Sequence, residues 1–134
     1  MITAVDTNVL LDVFASGSPH HSQSQAWLID AYDRGAILVC DVVYAELVPA
    51  LGDRSSLDRA LREINAVVSP IDTAIAYEAG LRWGRYRQAG GPRERIIADF
   101  LIGAHALANA DTFLTRDQGF YATYFSELRG TQSH

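Results

Sequence analysis

The sequence predicts an α/β fold: a single domain with a central, mostly parallel sheet of four to five strands and helices on both faces. Three observations predict it. Short apolar runs alternate with longer segments of helical periodicity along the chain. The 134 residues are enough for one domain with a substantial core, and the 49% hydrophobic and 20% charged fractions are ordinary for a globular chain. No repeat, low-complexity stretch or linker divides the sequence, so residues 1–134 read as one domain whose last part, from about 127 to 134, is a loosely ordered tail.

The first strand is the run from Ile2 to Val5. Asp6-Thr7-Asn8 follows at once, and Val9, Leu10, Leu11 and Phe14 then recur at helical spacing up to about Ala15. All three polar residues are good helix caps. They also stand at a strand-to-helix corner, and open α/β sheets bind ligands at the carboxyl ends of their strands. Ser16-Gly17-Ser18-Pro19 breaks this helix, and Ala26, Trp27, Ile29 and Ala31 mark a second one from His20 to Arg34, ended by Gly35. His20 and His21 are adjacent and so face different ways on a helix, which reads as an exposed helix start rather than a metal site.

Ile37 to Cys40 is the second strand. Asp41 is expected to cap the next helix, in which Glu46 is a lone acid among Val42, Val43, Ala45, Leu47 and Val48. A Gly52–Ser55 turn precedes a helix with Leu57, Ala60, Leu61 and Ile64 on one face. Val67 to Ile71 is the third strand, shortened by Pro70. Asp72-Thr73 starts a long helix through Ile75, Tyr77, Ala79, Leu81 and Tyr86. Its end, Arg82 to Arg87, mixes arginine with aromatics, a mix suited to phosphate and base contacts; a solvated helix end whose arginines favour the negative dipole terminus is the plainer reading.

After the Gly90-Gly91-Pro92 break, Arg93 to Ala108 is apolar nearly all round and reads as a central helix on the sheet. Asp99 lies inside it. A buried carboxylate needs a partner or a metal, and Arg95, one turn earlier, is the plain structural alternative. His105 reads as a satisfied core or edge histidine. Thr112 to Thr115 is the fourth strand, closed by Asp117; Asp117 to Tyr121 reads as a turn, and Tyr124-Phe125 as the start of a last edge strand.

The net charge of −5 argues against a broad cationic face for nucleic acid, but not against an acidic, metal-holding nuclease site. All 11 basic residues are arginine, so a P-loop and a phosphate-accepting receiver domain, which need lysine, are excluded. The single cysteine, Cys40, ends an apolar run and reads as a buried hydrophobe. No apolar run is long enough for a bilayer and no signal-peptide pattern is present, so a cytoplasmic protein with no membrane partner is expected.

Asp6 and Asp117 end strands of a parallel sheet and so share one rim. Glu46, a turn and a half into its helix, can lean over that rim. Asp99 is the least natural member: the N-terminal half of a helix running antiparallel to the strands is expected at the end opposite the rim, so a tilted helix, or a crossover order that places Arg93 to Asp99 beside the mouth, is needed to bring it in. Four converging carboxylates with no lysine raise one another's pKa, which a hard divalent cation, Mg²⁺ or Mn²⁺, relieves. Such a site can hydrolyse a phosphodiester. Thr7, Asn8 and Thr115 supply hydrogen bonds to orient the acids. Asp12, Asp41, Asp72 and Asp111 are read as caps, turns or exposed positions.

These residues resemble a known family. Asp6-Thr7-Asn8, the lone Glu46, the helix from Asp99 to Leu107, and Thr115-Arg116-Asp117 with Gly119-Phe120-Tyr121 resemble a PIN domain, and their order is similar to VapC-type toxins of bacterial toxin–antitoxin pairs. The resemblance spans about residues 2 to 125. It implies a Mg²⁺- or Mn²⁺-dependent endoribonuclease with a four-acid site at Asp6, Glu46, Asp99 and Asp117, and a homodimer inhibited by a cognate antitoxin. Trp27, Tyr77, Trp83 and Tyr86 are candidates for an apolar dimer patch. Competing readings are a catalytically silent PIN-like module that binds RNA or protein, a haloacid-dehalogenase phosphatase, which would need Asp where Asn8 stands, and a nucleotide-binding domain, which would need a Gly-rich first loop.

Overall fold

A computed structural model describes residues 1–91 and 96–128. Four strands form one parallel sheet: β1 (Ile2–Val5), β2 (Ala36–Cys40), β3 (Ala66–Ser69) and β4 (Thr112–Leu114), in the order β3-β2-β1-β4. The helices are α1 (Thr7–Phe14), α2 (His21–Arg34), α3 (Asp41–Leu51), α4 (Arg54–Glu63), α5 (Thr73–Gln88), α6 (Ile97–Asn109) and α7 (Gln118–Tyr124). Right-handed crossovers put α1 to α4 on one face, and the reversed β3-to-β4 connection puts α5 and α6 on the other. None of the described helices is long and apolar enough to cross a membrane.

The order reverses direction between β1 and β4. This is the switch point at which an open α/β sheet leaves a crevice at its carboxyl rim. The register of β1 and β4 pairs Val5 with Leu114, and the Asp6 N–H carries the ladder one step further to the Leu114 carbonyl (2.9 Å). Asp6 and Thr115 therefore emerge side by side.

The expected fifth strand is absent among the described residues. Gln118 to Tyr124 is a helix, not a turn followed by a strand. Its apolar residues explain why: Phe120, Tyr121, Tyr124 and Phe125 recur at helical spacing and form one aromatic cluster with Tyr86, Phe100 and Phe113. Phe125 is fully buried and lies against Gly103 so closely that a Cβ there would sit 2.6 Å from its ring. Arg82 fastens this segment to α5: it donates to the Tyr124 carbonyl (2.9 Å) and to both Glu127 oxygens, pairs with Glu78, and stacks on Phe125. The rest of the expected tail, 129–134, lies outside the described residues.

Candidate metal-binding acidic site

The structure brings the four acids predicted from the sequence into one cleft of about 620 Å³. Asp6, Glu46, Asp99 and Asp117 line it together with Thr7, Asn8, Leu11 and Pro49. Each acid arrives from a different element. Asp6 caps α1 and is only 7% exposed; its Oδ1 accepts from the Thr7 N–H (2.8 Å) and its Oδ2 from the Thr115 hydroxyl (2.8 Å) and the Asn8 amide (3.4 Å). Both readings of Asp6 therefore hold, cap and rim acid. Glu46 leans from α3 and accepts from the Thr7 hydroxyl (2.5 Å). Asp117 stands at the N-cap position of α7 but makes no side-chain capping bond. Its N–H donates to the Thr115 Oγ1 (2.9 Å), so one threonine links the backbone of one acid to the carboxylate of another.

Asp99 corrects the sequence geometry. The C-terminal end of α6 lies at the amino edge of the sheet, where the Asp111 N–H meets the Ile2 carbonyl and β4 begins beside Thr3. A helix that ends at the amino edge begins at the carboxyl rim. Asp99, in its first turn, thus reaches the mouth without any tilt. Arg95, the alternative partner, lies outside the described residues, as does the expected helix start at Arg93.

Burial pushes the Asp6 carboxyl up from 3.8 to about 6. The hydrogen bonds from Thr115 and Thr7 oppose this, and the negative charges of Asp99 and Glu46 add to it. Among the described residues, no three acidic, histidine or cysteine side chains close on a common point as ligands of one ion. The donor set nonetheless fits a hard divalent cation that takes one or two carboxylates directly and reaches the others through water, the usual state of Mg²⁺ in proteins. The repulsion recorded at Asp6 is what such a cation would relieve.

Other expectations change. Asp12 is not exposed: it is 3% exposed and holds Arg116 through Nε (2.7 Å) and Nη2 (3.2 Å), while accepting from Ser18 (2.7 Å) and Ser24 (2.6 Å). Burial alone would raise its pKa, but the bonds from Arg116, Ser24 and Ser18 prevail and lower it. Cys40, not Asp41, occupies the N-cap of α3; Asp41 accepts instead from the Ile71 N–H (3.3 Å). Burial raises the Cys40 thiol to about 11, leaving it inert at neutral pH. His105 is in the core as expected but not fully satisfied: Nε2 has no hydrogen-bond partner among the described residues, and burial lowers its pKa. Within the Arg–aromatic mix, Tyr86 is buried and Arg82 is engaged by Glu78 and Glu127, whereas Arg87 stacks on Trp83 at the surface.

The PIN domain family matches residues 3–126. The chain belongs to this family. No curated protein sequence matches it. Solved structures with the same PIN fold include VapBC2 from Rickettsia felis bound to a DNA fragment from its promoter (21% identity, TM-score 0.69, 90% of this chain and 91% of that one). VapC20 from Mycobacterium tuberculosis, a sarcin-ricin loop cleaving toxin, is 17% identical with TM-score 0.67 over 90% and 94% of the two chains. VapBC-1 from nontypeable Haemophilus influenzae is 18% identical with TM-score 0.69 over 97% and 96%. At these identities the likeness is one of fold.

Proposed function

We propose that this PIN domain is a Mg²⁺- or Mn²⁺-dependent endoribonuclease, the toxin of a type II toxin–antitoxin pair. The observation that carries the reading is the convergence of Asp6, Glu46, Asp99 and Asp117 on one cleft at the switch point of the sheet. PIN nucleases use divalent metals, and the similar structures are named for VapBC complexes and a sarcin-ricin loop cleaving toxin, which supports both the chemistry and the class of partner. In this reading Asp6 and Asp99 anchor the ion, with Glu46 and Asp117 completing the acidic set. The bound cation would supply charge neutralisation and Lewis-acid assistance to phosphodiester hydrolysis. The residues of the chain do the orienting. Thr7 holds Glu46, Thr115 and Asn8 hold Asp6, and the threonine hydroxyl fixes the backbone of Asp117.

Two partners follow. An acidic mouth invites an Arg or Lys of a cognate antitoxin, delivered beside an amphipathic segment covering nearby apolar surface. A second copy of the chain is the other partner. Tyr77, Leu81, Ile96 and Ile97 are exposed apolar residues on α5 and at the start of α6. Of the aromatics considered for that patch, Tyr86 is buried and Trp27 and Trp83 are partly packed on the core, so Tyr77 alone remains fully outside.

The test is cleavage of structured RNA with Mn²⁺, and in chelator, by wild type and by Asp6→Asn and Asp99→Asn. Loss of at least about a hundredfold in both variants is expected when a metal anchor is removed. Undiminished cleavage in chelator or by both variants refutes the metal-site reading. RNA binding without cleavage by the wild type favours the silent module.

A further inference from the structure

We propose that Asp12 and Arg116 are positioning residues of the acidic site: their ion pair, buried on its Asp12 side, locks the β4–α7 corner onto α1, and thereby sets Asp117 and Asp6 in one cleft. The proposal rests on the functional reading above for its catalytic consequence, though not for its geometry.

The pair is built in detail. The Asp12 carboxylate is almost wholly buried, and its two oxygens accept four hydrogen bonds: Oδ1 from Ser18 and Arg116 Nη2, Oδ2 from Ser24 and Arg116 Nε. A two-point guanidinium–carboxylate contact fixes orientation as well as distance. The two serines come from the α1–α2 connection and from α2, and the His21 ring nitrogen Nδ1 bonds the Asp12 carbonyl (3.0 Å). Asp12 is thus held by the helices on one side and holds Arg116 on the other.

Arg116 lies between the two residues that matter at the corner. Thr115 before it donates to Asp6, and Asp117 after it lines the cleft. The Arg116 backbone also takes part: its N–H donates to Asn8 Oδ1 (3.2 Å), which turns the Asn8 amide so that Nδ2 faces Asp6 Oδ2. Three links therefore join α1 to this corner, Asp6–Thr115, Asn8–Arg116 and Asp12–Arg116. Only the last is an ion pair. Asp12 and Asn8 are one turn apart on α1, so a single rigid helix presents both contacts.

A surface pair would be energetically slight and would not bear on the site. A buried, four-bonded carboxylate behaves differently: removing Arg116 strands Asp12, and removing Asp12 frees the Arg116 side chain from its two-point hold. Partners that orient the ligands of a metal are worth on the order of 10- to 100-fold in metal affinity or activity.

The experiment uses the full chain, with Mn²⁺ as the probe. Mn²⁺ affinity is measured by titration calorimetry for wild type, Asp12→Asn, Arg116→Gln and the double variant, beside RNA cleavage and thermal melting of each. Positioning predicts that each single variant binds Mn²⁺ about 10- to 100-fold more weakly and cleaves with lower kcat rather than raised KM. The double variant should be no worse than the worse single, since the two act as one unit. Arg116→Lys, which keeps the charge but not the fork, should recover only part of the loss. If a variant does not fold, Ser24→Ala, which removes one bond from Asp12, gives the same readout in milder form. Variants that melt lower yet bind Mn²⁺ with wild-type affinity overturn the proposal. A wild type that binds Mn²⁺ but cleaves no RNA refutes the functional reading alone, and the affinity comparison still decides the role of Asp12.

Discussion

Asp6→Asn should make the metal-free protein more stable at neutral pH and remove a loss of stability that the wild type suffers between about pH 4 and about pH 6. The native Asp6 carboxyl titrates at about 6, against about 3.9 in an unfolded chain. Between those values the native state binds more protons than the unfolded one. The stability contributed by the neutral acid is complete below about pH 4 and is lost as pH rises through the folded value. From 3.8 to about 6, at about 1.36 kcal/mol per unit, the loss is about 3 kcal/mol at neutral pH. The group is nearly fully buried, so little of this is screened away.

Asparagine avoids that term but keeps only part of the hydrogen bonding. Its carbonyl can still accept from the Thr7 N–H. Its amide nitrogen then faces the Thr115 hydroxyl, which must turn from donor to acceptor, and the Asn8 amide, which loses its acceptor. One or two bonds at about 1 kcal/mol each are forfeited. The variant should be more stable than wild type by roughly 1–2 kcal/mol above pH 7 and less stable by a similar amount near pH 4, with a crossing between. Urea unfolding in chelator, followed by Trp27 and Trp83 fluorescence from about pH 4 to about pH 8, measures it. Asp12 and Glu127, whose folded pKa values are lowered, are present in both proteins and cancel in the difference. A difference that does not vary with pH, or a variant less stable than wild type at pH 8, refutes the placement of a repelled, buried carboxylate at Asp6.

Mn²⁺ at a hundredfold excess over its dissociation constant should raise the unfolding free energy of the wild type by about 2.7 kcal/mol, and that of Asp6→Asn by much less, in the same urea assay. Gly103→Ala would put a Cβ 2.6 Å from the Phe125 ring and should lower stability by about 1–3 kcal/mol; an unchanged melting temperature would mean that the aromatic cluster shifts freely. Phe125→Ala empties a fully buried site and should cost about 3–5 kcal/mol in the same melt, with far-UV circular dichroism retained below the transition.

The parts of the fold legible in the sequence are those written in local patterns. The four strands are short apolar runs ending in a polar residue, and their ends placed Asp6 and Asp117 on one rim without knowledge of the sheet order. Glu46 stood out because it interrupts an apolar helix. Asp12 was not legible. On α1 it falls among apolar neighbours, as Glu46 does on α3, but its partner Arg116 is more than a hundred residues away, and a long-range ion pair leaves no local trace. The one available signal was that Asp12 lies on the same helical face as Asn8, already suspected of facing the site. The helix α7 was hidden by Gly119, read as a turn, although Phe120, Tyr121, Tyr124 and Phe125 carry the helical period. The trouble with Asp99 was a matter of direction rather than pattern. A helix returning to the amino edge of a sheet must start at the carboxyl edge, and the apparent conflict disappears once β4 is seen to pair with β1.

The hydrogen bonds at Asp6 explain how a metal-free cleft can remain anionic without unfolding the protein. Burial drives the carboxyl up, and a protonated acid is a poor ligand for a hard cation. The Thr115 hydroxyl and the Thr7 N–H pull the other way and leave it near 6, so that Asp6 is mostly ionised at neutral pH while still repelled by Asp99 and Glu46. A positive side chain among the acids would relieve that repulsion and compete with any cation. The sequence contains no lysine, and Arg116, the arginine beside Asp117, is bound at two points by Asp12 on the far side of the corner. Asp12 thus withholds Arg116 from the cleft, and a positively charged ligand can relieve the repulsion at Asp6. A divalent ion can do this, as can the basic side chain of an inhibitor, and the two should therefore compete for the same site.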